Sequence, residues 1–353
     1  MTNSIRRLAG IAAIILAVIF VSSCAESSRP TPTGKGSMRG IAAIVDAPDI
    51  VFYIEERAIG NLPYKGVVGF REYDDFSYNF NFEYSSPGER DLVRFLTHPL
   101  KVNADMLHTM IVTGSIDNPV VLEWEDAERE WAETETVVEV TFANFSPAIG
   151  DVDVYFVPPG TPPVLGNAVG TLANGERLPP TDFAEGVYEI IITPAGDPTN
   201  ILYLSGAIVT GVRNQPLIAI FDADPTIPSP VAVSLITAQE FQSPLPDPRF
   251  ASQVRLYHAG VGTENADVYF DDDFTSPVIS NLGFKELSPY LDSANGVVKV
   301  TLTAVNNPGA ILLEREIVVT AGTLRTLALL GEPANLLMNV LADQARPLST
   351  FAV

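Results

Sequence analysis

The residues that could do chemistry together lie in two copies of the tetrapeptide Asp-Val-Tyr-Phe, at 153–156 and 267–270. A carboxylic acid beside a phenol could form an acid–base pair. Neither copy has a nucleophile or a second base at a matching position, so the pattern favours a strand duplicated with its domain. Alternation along a strand would place Val154 and Val268 in a core and the Asp and Tyr of each copy near solvent. Asparagine in place of either Asp should then change stability by no more than about 0.5 kcal/mol.

Two further groups of polar residues could bind a metal ion. The run at 271–273 offers three carboxylates, but it lacks the alternating ligands and the glycine of an EF-hand loop. The second copy has Val-Pro-Pro-Gly in its place, so we expect a solvated turn. The chain has three histidines, His98, His108 and His258, too few for a zinc site when the only cysteine lies in the leader. We expect His258 to hydrogen-bond the loop that follows its strand. The aspartates of the run at 221–225 are expected to form a turn.

No motif of a known catalytic class is present. The sequence lacks G-x-S-x-G, H-E-x-x-H and a phosphate-binding glycine loop. We therefore predict no catalytic residue, no metal and no cofactor, and we expect a protein that is not an enzyme. Lys and Arg total 21 against 43 Asp and Glu, a formal charge of −22, which excludes nucleic acid as a partner because phosphate binding needs clustered basic residues.

Five aromatic residues are candidates for a ligand surface, since aromatics are enriched at interfaces. The strand-like stretch at 71–86 is rich in Tyr, Phe and Asn, and two tryptophans flank an acidic segment between the first two domains. The competing interpretation is a core strand with a polar outer face and tryptophans packed at a domain junction. The candidates are Tyr78, Phe80, Phe82, Trp124 and Trp131.

The amino-terminal residues form a processing signal. Arg6 and Arg7 precede an uncharged apolar stretch at 8–21, which is too short for a typical membrane span and suits a secretory leader. The stretch ends in Val-Ser-Ser-Cys24, which resembles the lipobox of bacterial lipoproteins. That resemblance implies a signal peptide at 1–23, a diacylglycerol on Cys24 and an acylated new amino terminus. The small, polar and proline-bearing residues after Cys24 predict a flexible tether, which with the cysteine spans 24–37. Ala25 follows Cys24, where an Asp would favour inner-membrane retention, so we expect the outer membrane.

Internal repeats set the domain organisation. Residues 140–156 align with 254–270 without a gap, and residues 186–203 align with 296–313. Strands of period two alternate with Pro- and Gly-rich turns, a pattern typical of β-sandwiches. We therefore predict an all-β chain of tandem immunoglobulin-like antiparallel β-sandwich domains. Their predicted bounds are a degenerate repeat at 38–130, a second repeat at 137–240 and a third at 252–353.

The opening of the third repeat carries a family resemblance. His258-Ala259 and Asp267-Val268-Tyr269 resemble the start of domain-of-unknown-function family 4397, whose members begin with a strand, a turn and an Asp-Val-Tyr strand. The second repeat has Asn144 where the His would be, and the first keeps only a faint trace. The resemblance implies a sandwich fold in exported bacterial proteins and implies no activity.

Together these features predict a lipid-anchored cell-envelope protein that serves as a non-catalytic binding or structural module. The alternatives are an assembly subunit of a surface fibre or secretion apparatus and, less favoured by the sequence, an enzyme with an unrecognised site. The membrane, through the amino-terminal lipid, is one expected partner, and an envelope protein or glycan is another. The sequence leaves the oligomeric state open.

Overall fold

The computed structural model describes residues 31–85, 91–223, 229–237 and 242–343. Within these residues the chain consists of β-strands joined by turns, with one 3₁₀ turn at Leu165–Asn167 and no α-helix. No helix in this part of the chain is long and apolar enough to cross a membrane. Cys24, with the predicted leader, lies outside the described residues.

The first repeat contains eight strands. They are β1 Lys35–Ala42, β2 Ile50–Ile54, β3 Arg57–Leu62, β4 Val67–Asp74, β5 Ser77–Tyr84, β6 Val93–Lys101, β7 Met106–Ser115 and β8 Asn118–Ala127. One sheet has the order β4-β1-β7-β8 and the other β3-β2-β5-β6.

The second repeat has the same plan with two additional short strands. Its strands are β9 Val137–Asn144, β10 Val152–Val157, β11 Gly170–Leu172, β12 Thr181–Ala184, β13 Val187–Pro194, β14 Tyr203–Leu204, β15 Ile208–Val209, β16 Leu217–Asp222, β17 Val231–Ile236 and β18 Gln242–Leu245. The sheet orders are β12-β9-β16-β17-β18 and β11-β10-β13-β14, with β15 also pairing β13.

The third repeat returns to eight strands. They are β19 Ser252–His258, β20 Ala266–Phe270, β21 Ile279–Leu282, β22 Leu291–Ser293, β23 Gly296–Ala304, β24 Asn307–Val319, β25 Leu324–Leu330 and β26 Leu337–Asp343. The sheets run β22-β19-β25-β26 and β21-β20-β23-β24. The tandem sandwich prediction is confirmed, including a complete first repeat where the sequence shows only a trace.

Each repeat contains one strand pair that differs from the antiparallel prediction. The first strand of every repeat runs parallel to its neighbour in the pairs β1–β7, β9–β16 and β19–β25. All other pairs between named strands are antiparallel. A parallel partner comes from far along the chain, about 70 residues in each repeat, so local turn signals could not predict it. We call the sheet that contains this pair the parallel sheet of each repeat.

Every repeat has a hydrophobic core of its own between its two sheets. Val154 in repeat 2 and Val268 in repeat 3 are fully buried in these cores, as alternation predicts. In repeat 1, Gly40 lies against the ring of Phe52, and a Cβ at this position would come within 2.6 Å of that ring. Glycine there allows Phe52 to stack on Phe82 with ring centroids 4.7 Å apart.

The connector predicted between repeats 2 and 3 contains a strand. Residues 242–245 form β18 and extend the parallel sheet of repeat 2 past residue 240, the predicted end of that repeat. Pro244 is compatible with this strand because β18 lies at the edge of the sheet, where a missing N–H removes no ladder hydrogen bond. The independent folding of the three repeats stays a prediction.

Candidate functional site

The aspartate of the duplicated tetrapeptide is buried, which corrects the prediction that it faces solvent. In repeat 2, Asp153 is 5% exposed. Its carboxylate accepts hydrogen bonds from the Thr171 hydroxyl at 2.5 Å and from the Gly196 backbone N–H at 2.8 Å. Thr171 lies on the neighbouring strand β11 and Gly196 in the turn after β13, so the carboxylate joins both to the start of β10.

The third repeat uses the same arrangement with two backbone donors. Asp267 is 2% exposed, and its oxygens accept from the N–H groups of Asn281 at 2.8 Å and Asn306 at 2.7 Å. Repeat 1 has Val51 at the equivalent position of β2, which matches its weaker sequence similarity. Each carboxylate therefore serves as an internal brace between its strand, a neighbouring strand and a turn, and its oxygens are occupied by protein donors.

The tyrosines of the tetrapeptide are buried as well. Tyr155 is fully buried and Tyr269 is 3% exposed. Tyr155 packs with Val157 and Ile191 in a small cluster on the outer side of its sheet. The second face of the strand is therefore covered by surrounding chain, which alternation alone could not predict. The Tyr155 hydroxyl has no hydrogen-bond partner among the described residues.

His258 braces the loop after its strand, as expected. It is fully buried, and its Nδ1 lies 3.3 Å from the Gly260 N–H, which donates to it. Asn144 takes this place in repeat 2, where its amide oxygen accepts from the Ser146 N–H at 2.9 Å. His108 is buried too, and its Nε2 accepts from the Asn103 N–H at 3.0 Å, while His98 on β6 contacts Glu123 on β8 of the opposing sheet.

The aspartates of the run at 271–273 are all bonded to protein groups, two of them to Lys299. Asp271 accepts from the Lys299 N–H at 2.9 Å, Asp272 forms an ion pair with the Lys299 ammonium at 2.8 Å, and Asp273 accepts from Thr275. Asp222 likewise accepts from Ser146 and from the Ala148 N–H, while Asp224 lies outside the described residues. Across the described ranges, no group of three His, Cys, Asp or Glu side chains is placed to share one metal ion.

Two of the aromatic candidates cannot contact a ligand, which corrects the proposed surface on β5. Phe80 and Phe82 are both fully buried in the core of repeat 1. Tyr78 is half-buried against the same core, and its hydroxyl donates to the Asp74 carbonyl at 3.1 Å. The aromatic face of β5 is a core face.

Both tryptophans pack within the protein. Trp124 stacks on Phe145 of repeat 2, with ring centroids 5.6 Å apart. Trp131 is half-buried, and the Arg129 guanidinium lies 3.9 Å from its ring centroid. Arg129 also binds Glu139 and Asp182 of repeat 2, and its hydrogen bond holds the pKa of Asp182 below its usual range. The contacts of Arg129 with Trp131, Glu139 and Asp182 attach the segment between repeats 1 and 2 to the second repeat.

The parallel sheet of repeat 1 packs with its outer face against the outer face of the parallel sheet of repeat 2. We call this contact the seam. Residues from both repeats form one buried cluster, with Trp124 and Leu122 of repeat 1 and Ala232 of repeat 2 half-buried at its margin. Its fully packed members are Ile41, Ala43, Tyr64, Ile111, Ala143, Phe145, Leu217, Ala219, Phe221 and Ile236. The seam is an apolar contact between two copies of the same structural face.

Charged residues border the seam on one side. Asp126 of repeat 1 forms an ion pair with Arg177 of repeat 2 at 2.5 Å, and the Arg177 guanidinium lies 4.9 Å from the Trp124 ring centroid. Arg39 donates through Nε to the Thr109 hydroxyl at 2.8 Å. Burial lowers the pKa of Arg39 to about 10, and the charge of Asp126 opposes that shift. The ion pair joins the two repeats across the seam.

A cavity of about 280 Å³ lies where repeats 2 and 3 meet. Its walls are largely apolar and include Val231, Val233 and Leu245 of repeat 2 and Leu324 of repeat 3. Arg325 also lines it, and the Nε of this residue is buried without a hydrogen-bond partner in the part of the chain that the structure describes. The cavity is a junction space between repeats 2 and 3, with Tyr64 and Lys65 of repeat 1 also on its wall, so two cations, Lys65 and Arg325, line it.

A model of the family described as "Domain of unknown function (DUF4397)" matches residues 36–155 and 252–351. The matched regions cover more than half of the chain. The chain belongs to the DUF4397 family. The first match runs from β1 through the tetrapeptide strand of repeat 2, and the second spans repeat 3. The resemblance of repeat 3 to DUF4397 is thereby confirmed.

Other comparisons add little to the DUF4397 assignment. No curated protein matches the sequence. Among solved structures, the major pilin subunit of Bacillus cereus, BcpA, is similar over 84% of this chain and 98% of its own, with 11% identity and a TM-score of 0.16. The fold of this DUF4397 protein therefore rests on the strand pairing described above.

Proposed function

We propose that this protein is a lipid-anchored component of the bacterial cell envelope whose three DUF4397-type repeats form a non-catalytic binding or structural module. The observation that carries the proposal is the burial of the ionisable residues on the repeated strands. Asp153, Asp267 and His258 are buried and hydrogen-bonded to neighbouring strands, turns and loops, which is what a structural role requires.

The seam supports the same proposal. Its contact between repeats 1 and 2 is an apolar face with one ion pair, the composition typical of a lasting interface. A chain that joins its own repeats in this way is suited to hold a fixed shape and to present surfaces. The proposed anchor at Cys24 would attach that shape to a membrane, since more than one acyl chain is needed for durable attachment.

The proposal is tested first by the anchor. Cells that express the full chain are labelled with a fatty acid, and the envelope is separated from the soluble fraction. We expect wild-type protein to carry label and to remain with the membrane, and Cys24→Ser to lose the label. Ser23→Ala, a neighbouring change that keeps the cysteine, is the control. Label that persists in Cys24→Ser would contradict lipidation at this residue.

The non-catalytic part is tested separately. Purified protein is assayed against ester, glycoside, phosphate and peptide substrates beside Asp153→Asn and Asp267→Asn. We expect no turnover by any of the three. Turnover by wild-type protein that either substitution abolishes, while the variant remains folded, would mean that the buried aspartates are catalytic.

A further inference from the structure

The parallel sheets of the three repeats place equivalent residues on the same outer face, because paired strands in register project side chains to the same side. The central cross-strand pair is Ile41–Ile111 in repeat 1, Ala143–Ala219 in repeat 2 and Tyr257–Ala328 in repeat 3. The first two pairs are buried in the seam. The third pair, Tyr257–Ala328, lies at the centre of the equivalent outer face of repeat 3. Neither repeat 1 nor repeat 2 packs on that face in the way that their own two faces pack in the seam.

The next strand extends this equivalence. In the antiparallel pairing that follows, Trp124 of repeat 1, Ile236 of repeat 2 and Leu341 of repeat 3 occupy the same register position. Trp124 and Ile236 lie in the seam, and Ile236 is fully buried. Leu341 is 50% exposed. Repeat 3 therefore has an apolar side chain at the position that the other two repeats use for packing.

The opposite margin of the face shows a second match. Isolated bridges pair Ala143 with Arg177 in repeat 2 and Tyr257 with Leu287 in repeat 3, so Leu287 is the counterpart of Arg177. Leu287 is 47% exposed. We call the set Tyr257, Leu287, Ala328, Leu330, Leu337 and Leu341 the repeat-3 face.

The charges near this face indicate what it can contact. In the seam, Asp126 is paired with Arg177 of the opposing repeat. The register equivalent of Asp126 in repeat 3 is Asp343. Asp343 accepts from the Tyr290 hydroxyl at 2.7 Å and from the Thr326 hydroxyl, both within repeat 3. The repeat-3 face therefore needs no cation from its partner, and it carries a leucine where repeat 2 carries that cation.

We infer that the repeat-3 face binds the repeat-3 face of a second copy of this chain. In repeats 1 and 2, two such faces pack against each other. The equivalent face of repeat 3 is therefore left without a partner repeat in the same chain. A two-fold contact brings each residue opposite a residue of the same surface, so a self-complementary face satisfies it. This face is apolar except for the exposed Asn339, which pairs with Ala328. In the geometry of the seam, Leu341 of one copy would lie near Leu287 of the other, twice in each dimer, where Trp124 and Arg177 meet inside one chain.

This inference names a partner for the module proposed above and rests on that proposal. Self-association is tested without the lipid, on the chain from residue 24 onward with Cys24→Ser, by sedimentation equilibrium. We expect a dimer that Leu341→Asp converts to a monomer, because a carboxylate would be desolvated against an apolar face. Ile311→Asp is the matched control: Ile311 is 49% exposed in the same repeat, on the other sheet, and this variant should remain a dimer.

The outcomes separate this inference from its rivals. Leu287→Asp provides a second disruption, and melting curves confirm that each variant is folded. A wild-type monomer, or a dimer that both Leu341→Asp and Leu287→Asp leave intact, would overturn the inference. A monomer that dimerises only after residues 344–353 are removed would also overturn it, since the carboxyl-terminal segment would then cover the face. None of these results bears on Cys24 lipidation, which is measured independently.

Discussion

Asn in place of Asp267 exchanges a buried carboxylate for an amide of nearly the same shape. In the wild-type protein both oxygens accept from backbone N–H groups, at 2.8 Å from Asn281 and 2.7 Å from Asn306. An asparagine offers one oxygen to these two donors, so its NH₂ group must point at an N–H that can no longer be satisfied. The perturbation is confined to strand β21, which contains Asn281, and to the turn that contains Asn306.

The expected loss follows from these two bonds. A hydrogen bond to a charged group contributes about 1.5–3 kcal/mol, and a buried donor left without a partner costs about 1–3 kcal/mol. Removal of the buried charge recovers part of this sum, since a desolvated carboxylate is itself unfavourable. We therefore expect Asp267→Asn to lower the free energy of unfolding by about 2–4 kcal/mol. The solvent-facing placement predicted from alternation would have given no more than about 0.5 kcal/mol.

Urea unfolding measures the global loss, and hydrogen exchange at the amides of Asn281 and Asn306 measures it locally. Both amides should exchange faster in Asp267→Asn. Asp272→Asn is the control, because Asp272 is 53% exposed in a surface ion pair and should change stability by less than about 1 kcal/mol. Asp153→Asn should cost less than Asp267→Asn, since one of its two donors is the Thr171 hydroxyl, which can rotate to accept. Equal values for Asp267→Asn and Asp272→Asn would refute the brace.

Three further predictions follow from the contacts described. Trp124→Ala should destabilise the contact between repeats 1 and 2 by about 2–3 kcal/mol, seen as separate unfolding transitions, and a single unchanged transition would contradict the seam. The pKa of Asp182 lies below its usual value, so its pairing with Arg129 is present above about pH 4 and is lost as pH falls through the lowered pKa. The melting-temperature difference between wild type and Asp182→Asn should therefore shrink between pH 5 and 3, and a constant difference would exclude this linkage. Residues 252–353 alone should fold cooperatively and melt at the same temperature with or without a chelator, because the core of repeat 3 is built within that segment; a fragment that stays unfolded would show that it needs repeat 2.

The sequence predicted the strands well because their inner faces carry the period-two pattern. Val154 and Val268 were placed in cores from alternation alone, and the tetrapeptide was identified as a strand. Alternation does not report whether the second face is covered, since that depends on strands and turns distant in sequence. Asp153 is buried by Thr171 and Gly196 for this reason, and no local pattern could have shown it.

The seam and the repeat-3 face were missed for a related reason. The parallel pairs join residues about 70 positions apart, as in the hydrogen bonds from Arg39 to Thr109 and from Arg255 to Thr326. One signal was available: the first strands of repeats 1 and 3 carry Arg39 and Arg255 at the same position. The other residues of these strands alternate toward a core. An arginine at the same position of both strands indicates that this position lies on the outer face of the sheet, where the guanidinium has a polar partner. Pro244 had the opposite effect, because the composition around it predicts a linker where the structure has strand β18. An edge strand tolerates such a proline.

Lipid anchoring of this chain is tested by the intact mass of the protein extracted from envelopes. We expect a polypeptide that begins at Cys24, with a mass increased by a diacylglycerol and an amino-terminal acyl chain. A chain that retains residues 1–23, or one that begins elsewhere with an unmodified amino terminus, would contradict lipid anchoring.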